Sequence, residues 1–351
     1  MIKVGVLGAT GYMGGEVLRI LYRHPDVSIC WATSRQPAPI EYFHPNLYGS
    51  GIKLIHPDEI TACDVVFIAL PTSKSIEYTV KLLSLGCKVI DLGAAFRLRD
   101  KNTWETVYAQ KHAHWPITNK SVYGITELHL EKIRHASVIA NPGCFSSAAI
   151  LALAPLMQEQ LVDLDHIVIN GLSGTAGMGA TASRATHHAE IGNNLIPYNV
   201  VDHRHSYEIE QELTLLAKQS VSVHFTPVYV PVTRGILNTS SVFLKNKIKR
   251  NDLLDLYRRF YREHPFTLVY DQLPEAGAEW QYRAYPWISN VNGSNYCQIG
   301  LDIDKKRNRL VVMSVLDSLG KGGAQVGIEN MNIMFGLERN SGLETRSCHP
   351  A

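Results

Sequence analysis

Ile2-Lys3-Val4-Gly5-Val6-Leu7-Gly8-Ala9-Thr10-Gly11-Tyr12-Met13-Gly14 is the stretch on which the fold turns. A short apolar run ends in a glycine-rich turn. A helical pattern over residues 16–22 follows and stops before Pro25. Strand, glycine turn and helix in that order form the unit that carries a dinucleotide: the glycines let the backbone approach a phosphate, and the helix start offers free N–H groups and a positive dipole end. The spacing is GxxGxxG rather than GxGxxG, so the pattern also fits a plain turn between strand and helix, and its context raises the first reading.

Outward from this turn, apolar runs recur at residues 27–33, 65–70, 88–92 and 137–140, with a helical pattern at 75–85. Near-continuous apolar strands alternating with helices predict a parallel, doubly wound α/β sheet over the first 145 residues. The texture then changes. Strand-like segments at 167–169, 221–232, 240–244, 296–303 and 309–316 are separated by few helices, of which 251–263 is the clearest. That pattern predicts an α+β domain with a mixed or antiparallel sheet. Residues 322–335 are helical again, and are expected to return to the first domain. The division is therefore 1–145 with 319–351, and 146–318.

Composition closes off several classes. The 351 residues predict about two domains. Hydrophobic residues make up 45% and charged residues 19%, which excludes a disordered chain. A net charge of +2 supplies no broad basic field for nucleic acid or a membrane surface. The uncharged stretch 138–158 is broken by Asn141-Pro142-Gly143, and its clean apolar part has ten residues, against about 18 for a membrane span. Six cysteines without a CxxC pair fit a reduced, cytoplasmic enzyme.

The end of the second strand addresses the cofactor. An NAD enzyme usually places an acidic residue there; this chain has Thr33-Ser34-Arg35. A hydroxyl and a guanidinium suit a 2′-phosphate, which favours NADP(H) over NAD. The alternative is that Arg35 is a solvated charge.

Asn141-Pro142-Gly143-Cys144 lies between a strand and the apolar helix pattern 145–157. A thiolate at a helix start is stabilised by the dipole and made available as a nucleophile. The other five cysteines read as small buried or tail residues. Asp202-His203-Arg204-His205 is the densest basic cluster. A histidine there can move the thiol proton, and Arg204 can clamp an anion. The same histidines with His187-His188 fit a metal site less well, since no cysteine or acidic partner has a ligand spacing, and no metal is expected. Ser173-Gly174-Thr175-Ala176-Gly177-Met178-Gly179 is either an anion cradle of backbone N–H groups or a flexible turn. Arg97, just past a strand's C-terminal end, is either a phosphate ligand or a solvated loop charge.

Taken in order, these residues resemble the N-acetyl-gamma-glutamyl-phosphate reductase family and the related reductases of carrier-protein-linked 2-aminoadipyl phosphate. The resemblance is carried by Gly8-Ala9-Thr10-Gly11-Tyr12, His24-Pro25, Thr33-Ser34-Arg35, His44-Pro45-Asn46-Leu47, Ala69-Leu70-Pro71, Phe96-Arg97-Leu98, Tyr123-Gly124, Asn141-Pro142-Gly143-Cys144, His203-Arg204-His205, Arg234-Gly235, Gly293-Ser294-Asn295 and Asn330-Met331-Asn332. It implies a Rossmann-like NADP-binding domain that takes in the C-terminal helix, and an inserted catalytic and dimerisation domain of the aspartate-semialdehyde dehydrogenase type. It further implies Cys144 as nucleophile and His203, first of the pair, as acid/base. Nucleotide contacts would fall on Gly8, Ala9, Thr10, Gly11, Ser34, Arg35 and Asn330, and substrate anchors on Arg97 and Arg204.

The implied reaction is NADPH-dependent reduction of an acyl phosphate to a semialdehyde, with release of inorganic phosphate, by a homodimer or homotetramer. The arginine-pathway substrate is favoured over the carrier-linked one. The rival from another class is a dinucleotide sensor without catalysis. Thr72 after Ala-Leu-Pro, Phe145-Ser146 after the nucleophile and Asp202 before the histidines depart from the family pattern, without removing a reacting group.

Overall fold

The protein is described by a computed structural model, which covers residues 1–36, 38–271 and 285–348. By internal contacts the chain divides into two units, Met1–Pro142 with Gly323–Thr345, and Gly143–Gly322 with the tail from Arg346.

The first unit is a parallel sheet of β1 (Ile2–Leu7), β2 (Val27–Thr33), β3 (Leu54–Ile55), β4 (Val65–Ile68), β5 (Lys88–Asp91), β6 (Val122–Tyr123) and β7 (Val138–Ala140). Their order is β3-β2-β1-β4-β5-β7-β6, and every pairing is parallel. Val4, Val6, Val65, Val66, Phe67, Ile68, Val89 and Ile90 are fully buried, because both faces of the sheet are covered and neither offers water to a side chain. The strand order reverses direction between β1 and β4, which is where open α/β sheets take their ligands.

The helix after β1 runs Tyr12–Leu21, four residues earlier than its hydrophobic pattern suggests. Gly14 and Gly15 lower its intrinsic propensity, yet packing requires them: a Cβ on Gly14 would lie 2.3 Å from the Gly8 carbonyl oxygen.

The helix Gln325–Met334 belongs to this first unit and is buried along its whole length. Polar groups fix it there. Glu329 is held by Arg339 at 2.7 Å and by the Thr126 hydroxyl at 3.0 Å, and Asn332 faces His24 at 3.0 Å.

The second unit is a mixed sheet of β8 (Ile167–Ser173), β9 (Ile196–Pro197), β10 (Val223–Tyr229), β11 (Ile236–Phe243), β12 (Thr267–Tyr270), β13 (Cys297–Asp304) and β14 (Arg309–Leu316). The order is β12-β13-β14-β11-β8-β10-β9. Strands β8 and β10 pair in parallel, as do β12 and β13; the rest are antiparallel. The helix Cys144–Gln158 is buried from Phe145 to Met157, as an element apolar on all sides must be. It packs on β11 and β14 and against the helix Arg204–Ala217. That second helix carries the Glu-rich stretch 208–213 that follows the His203 cluster. The opposite face of the sheet, with Val168, Leu172, Leu237, Val311 and Met313, is half-buried to exposed.

Candidate active site

In the first unit, Gly8 takes a φ of +82°, a value that favours glycine, and a Cβ there would lie 2.3 Å from the Ala69 carbonyl oxygen. Its N–H donates to the Thr33 hydroxyl at 3.3 Å. Gly11 caps the helix Tyr12–Leu21, whose first amides have no partner within the helix. This cradle, which side chains would fill, fits a diphosphate.

Arg35 stands exposed beyond the end of β2. Ser34 is buried, and its hydroxyl accepts from the Gln36 N–H at 3.0 Å. Asn330 is fully buried; its amide nitrogen donates to the Gly124 carbonyl at 2.9 Å. Its Oδ1 meets no donor among the described residues, so any contact with a nucleotide uses that oxygen as acceptor.

Arg97 is not a solvated loop charge. It is 7% exposed, donates to the Leu92 carbonyl at 3.2 Å and interacts with the Asp91 carboxylate. Asp91 is fully buried, which raises its carboxyl above the ordinary range. The Ser75 hydroxyl at 2.6 Å and the N–H groups of Gly93 and Ala95 oppose that rise. The loop 93–97 is thus built rigidly around one carboxylate.

In the second unit, Gly143 caps the helix and Cys144 is its first residue, partly exposed. The Gly143 N–H donates to Glu208 at 3.0 Å. A Cβ on Gly143 would lie 2.5 Å from Nε2 of His205, and one on Gly322 would lie 2.7 Å from the Cys144 Cβ. The turn at Cys144 is therefore closed in by an imidazole on one side and a bare backbone on the other. Nε2 of His205 lies 3.9 Å from the Glu208 carboxylate, and both side chains are buried.

His203 holds a different place. It caps the helix Arg204–Ala217, with Nδ1 accepting from the His205 N–H at 3.2 Å. Its ring packs among Phe145, Tyr198 and Phe225. Burial, reinforced by the neighbouring Arg204, pushes its pKa down to about 4. An Nδ1 that accepts a proton-bearing group is unprotonated, so the neutral ring carries its proton on Nε2 and has no free lone pair for the thiol. Two further groups face this turn that the sequence did not single out. Tyr198 and Tyr229 stack with centroids 4.0 Å apart and planes 4° apart. Burial raises both phenols, Cys144 adds to the rise, and Arg204 opposes it. Arg204 is exposed and makes no ion pair among the described residues.

The depressed His203 pKa ties stability to pH. The unfolded ring titrates near 6.5 and the folded one near 4, so between these values the unfolded chain binds more protons. Stability is full above about pH 6.5 and falls as pH drops toward 4, by about 3 kcal/mol at the lower end from this residue alone. His24 and His112, also lowered chiefly by burial, add in the same direction. Urea melts at pH 7 and pH 5 should show a smaller loss for His203→Asn, which keeps a capping oxygen; an equal loss would contradict this assignment.

The remaining expectations separate cleanly. The amides of Gly174, Thr175, Ala176 and Gly179 donate to backbone carbonyls at 2.9–3.1 Å, so the loop 173–179 is a fixed turn and not an anion cradle. His187 and His188 are exposed, and among the described residues no three His, Cys, Asp or Glu side chains gather as metal ligands. No helix among the described residues is long and apolar enough to cross a membrane.

Comparison with known proteins gives these sites a context. Residues 3–136 match the semialdehyde dehydrogenase NAD binding domain and residues 144–318 the semialdehyde dehydrogenase dimerisation domain. The chain is 40% identical over 356 residues to the N-acetyl-gamma-glutamyl-phosphate reductase of Desulforamulus reducens, and 42% identical over 358 residues to that of Methanopyrus kandleri. Both comparisons cover 100% of each chain. A LysW-linked L-2-aminoadipate/L-glutamate phosphate reductase of Nitrosopumilus maritimus is 40% identical, covering 97% of this chain and 98% of its own. Among solved structures, aspartate semialdehyde dehydrogenase II from Vibrio cholerae superposes with a TM-score of 0.71 at 17% identity, over 96% of this chain and 99% of that one. The fold is therefore the two-domain α/β fold of these dehydrogenases.

Proposed function

This chain belongs to the N-acetyl-gamma-glutamyl-phosphate reductase family, and from that we propose that it reduces N-acetyl-L-glutamyl 5-phosphate to N-acetyl-L-glutamate 5-semialdehyde with release of phosphate. The observation that carries this reading is the turn at Cys144: a thiol at a helix start, its preceding N–H held by Glu208 and an imidazole packed on the same residue.

His205 takes the Cys144 proton, in place of His203, whose lone pair is engaged in the helix cap. Glu208 orients that imidazole and stabilises it once protonated. The sulfur attacks the acyl carbon, the bond to the phosphate oxygen breaks, and the departing phosphate receives the proton from His205. The amides at the start of the helix Cys144–Gln158 receive the charge that builds on the acyl oxygen. Arg204 anchors an anionic group of the substrate, and Arg97, held by Asp91, is the second candidate anchor. The turn at Gly8, Ala9, Thr10 and Gly11 would hold NADPH, with Ser34 and Arg35 at its 2′-phosphate and Asn330 as acceptor, and the bound cofactor would supply the hydride. When the acyl carbon has reached the aldehyde level, the C–S bond breaks and Cys144 leaves as thiolate, to be reprotonated through His205.

The reactive thiol needs a reducing compartment, which makes the cytoplasm its place of work. The half-exposed apolar sheet face at Val168, Leu237, Val311 and Met313 supports a homodimer or homotetramer; light scattering that reports a monomer would overturn that part.

The carrier-linked reductases, at 40–43% identity, supply the second reading. A reverse assay, with phosphate and NADP, compares N-acetylglutamate semialdehyde with a carrier-linked aminoadipate semialdehyde. The proposal expects turnover of the acetylated substrate with kcat/KM at least about tenfold higher, a margin worth about 1.4 kcal/mol. Preference for the carrier-linked substrate would reverse the assignment. Turnover of neither would return the sensor reading.

A further inference from the structure

The turn at residues 8–14 has a brace that its own sequence does not reveal. Within the turn, the Gly8 carbonyl accepts from the Gly11 N–H at 3.3 Å and the Gly11 carbonyl from the Gly15 N–H at 2.9 Å. The Ala9 carbonyl lies outside that pattern. It accepts instead from the imidazole of His44, whose Nε2 lies 2.8 Å away. His44 is 8% exposed. The ring is also wedged against the helix: a Cβ on Gly15 would lie 2.3 Å from Cε1 and 2.5 Å from Nδ1 of His44. The segment that delivers it is anchored on both sides. The His44 N–H donates to the Ile40 carbonyl at 2.9 Å and the Leu47 N–H donates to the His44 carbonyl at 2.9 Å, and Ile40 and Leu47 are buried.

A cradle for a diphosphate must turn its N–H groups to the ligand and keep its carbonyls away, since a carbonyl oxygen repels a phosphate oxygen. We propose that His44 is a positioning residue for the cofactor turn: it takes up the Ala9 carbonyl and fixes the turn in the conformation that presents N–H groups to the diphosphate. Gly15 is glycine so that this ring can lie against the helix. The brace also ties the turn to the segment that begins at Ser34 and Arg35, only nine residues before His44. The motif His44-Pro45-Asn46-Leu47 thereby gains a role in the cofactor site, although none of its side chains needs to touch the nucleotide.

This inference rests on the reading that residues 8–14 hold NADP(H). Calorimetric titration of NADPH into the full-length protein tests both. Wild type should bind, while His44→Ala and Gly15→Ala should each weaken binding by about tenfold or more. KM for NADPH should rise in parallel, with kcat at saturation within about threefold. His44→Gln, whose amide N–H can still donate, should recover most of the affinity. Thermal melts supply a separate readout: Gly15→Ala should lower Tm in the wild-type background but not beside His44→Ala, where the methyl enters the space the ring has left. If His44→Ala does not fold, Gly15→Ala and His44→Gln decide. Wild-type affinity in His44→Ala and Gly15→Ala, or in Gly15→Ala alone where His44→Ala does not fold, would overturn the brace while the cofactor reading stands, as would a His44→Gln protein no better than Gly15→Ala. A wild type that binds no NADPH would overturn the cofactor reading and the brace with it.

Discussion

Replacing Cys144 by serine is expected to abolish reductive turnover, lowering kcat by at least about a thousandfold while leaving the fold intact. The side chain changes by one atom at the first position of a helix whose buried face begins at Phe145, so the melting temperature should move little. The loss follows from chemistry. A hydroxyl is a far weaker nucleophile than a thiolate near neutral pH, and its ester is a poorer acceptor of hydride than a thioester. Serine at Cys30 or Cys348, the two exposed cysteines outside this turn, should leave turnover within about twofold, as surface changes away from a site usually do. Turnover of the Cys144→Ser protein within tenfold of wild type would remove covalent catalysis from the account.

The second large effect separates the two histidines. His205→Asn should lower kcat by about 10²–10⁴-fold, the usual range for a lost general acid/base. It should also erase the limb of the kcat/KM pH profile that this group supplies. His203→Asn should cost less than about tenfold, because asparagine can still cap the helix and the ring it replaces has no lone pair to offer. The geometry behind this contrast is specific: Nε2 of His205 packs on Gly143 beside Glu208, whereas Nδ1 of His203 accepts from the backbone. The opposite ranking, with His203→Asn the more damaging in kcat and in the pH profile, would restore the first histidine as the acid/base.

The choice between these two histidines marks where the sequence stops being legible. His-Arg-His reads as two equivalent imidazoles, and only the start of the helix Arg204–Ala217 makes one a cap and the other a wall of the turn at Cys144. The spacing His205 to Glu208 did hold a clue, since residues three apart on a helix share a face, but that spacing does not reveal that both side chains meet Gly143. The parallel sheet was readable because strands buried on both sides show unbroken apolar runs, as at Val65–Ile68. Strands β3 and β6, two residues each, are too short to leave such a signal.

The glycine turn was legible as the link between a strand and a helix. The imidazole that takes up its Ala9 carbonyl was not, because His44 lies 35 positions from Ala9 and nothing local in the sequence announces that contact. Gly322, whose missing side chain leaves room beside Cys144, is hidden for the same reason. The Tyr198–Tyr229 stack joins the last residue of β10 to the residue just past β9, and a pattern of alternation does not reveal how those two strands are registered. The loop 173–179 misled in the other direction: its small residues suggested free amides, and its neighbours at Val232, Thr233 and Gly235 take them up.

The proposed covalent intermediate is open to direct observation. Incubating the protein with N-acetylglutamyl phosphate in the absence of any nicotinamide, then digesting and measuring peptide masses, should reveal one acetylglutamyl group on the peptide containing Cys144, removable by hydroxylamine and absent from Cys144→Ser. No adduct, or an adduct of equal occupancy on Cys30 or Cys348, would contradict the thioester route.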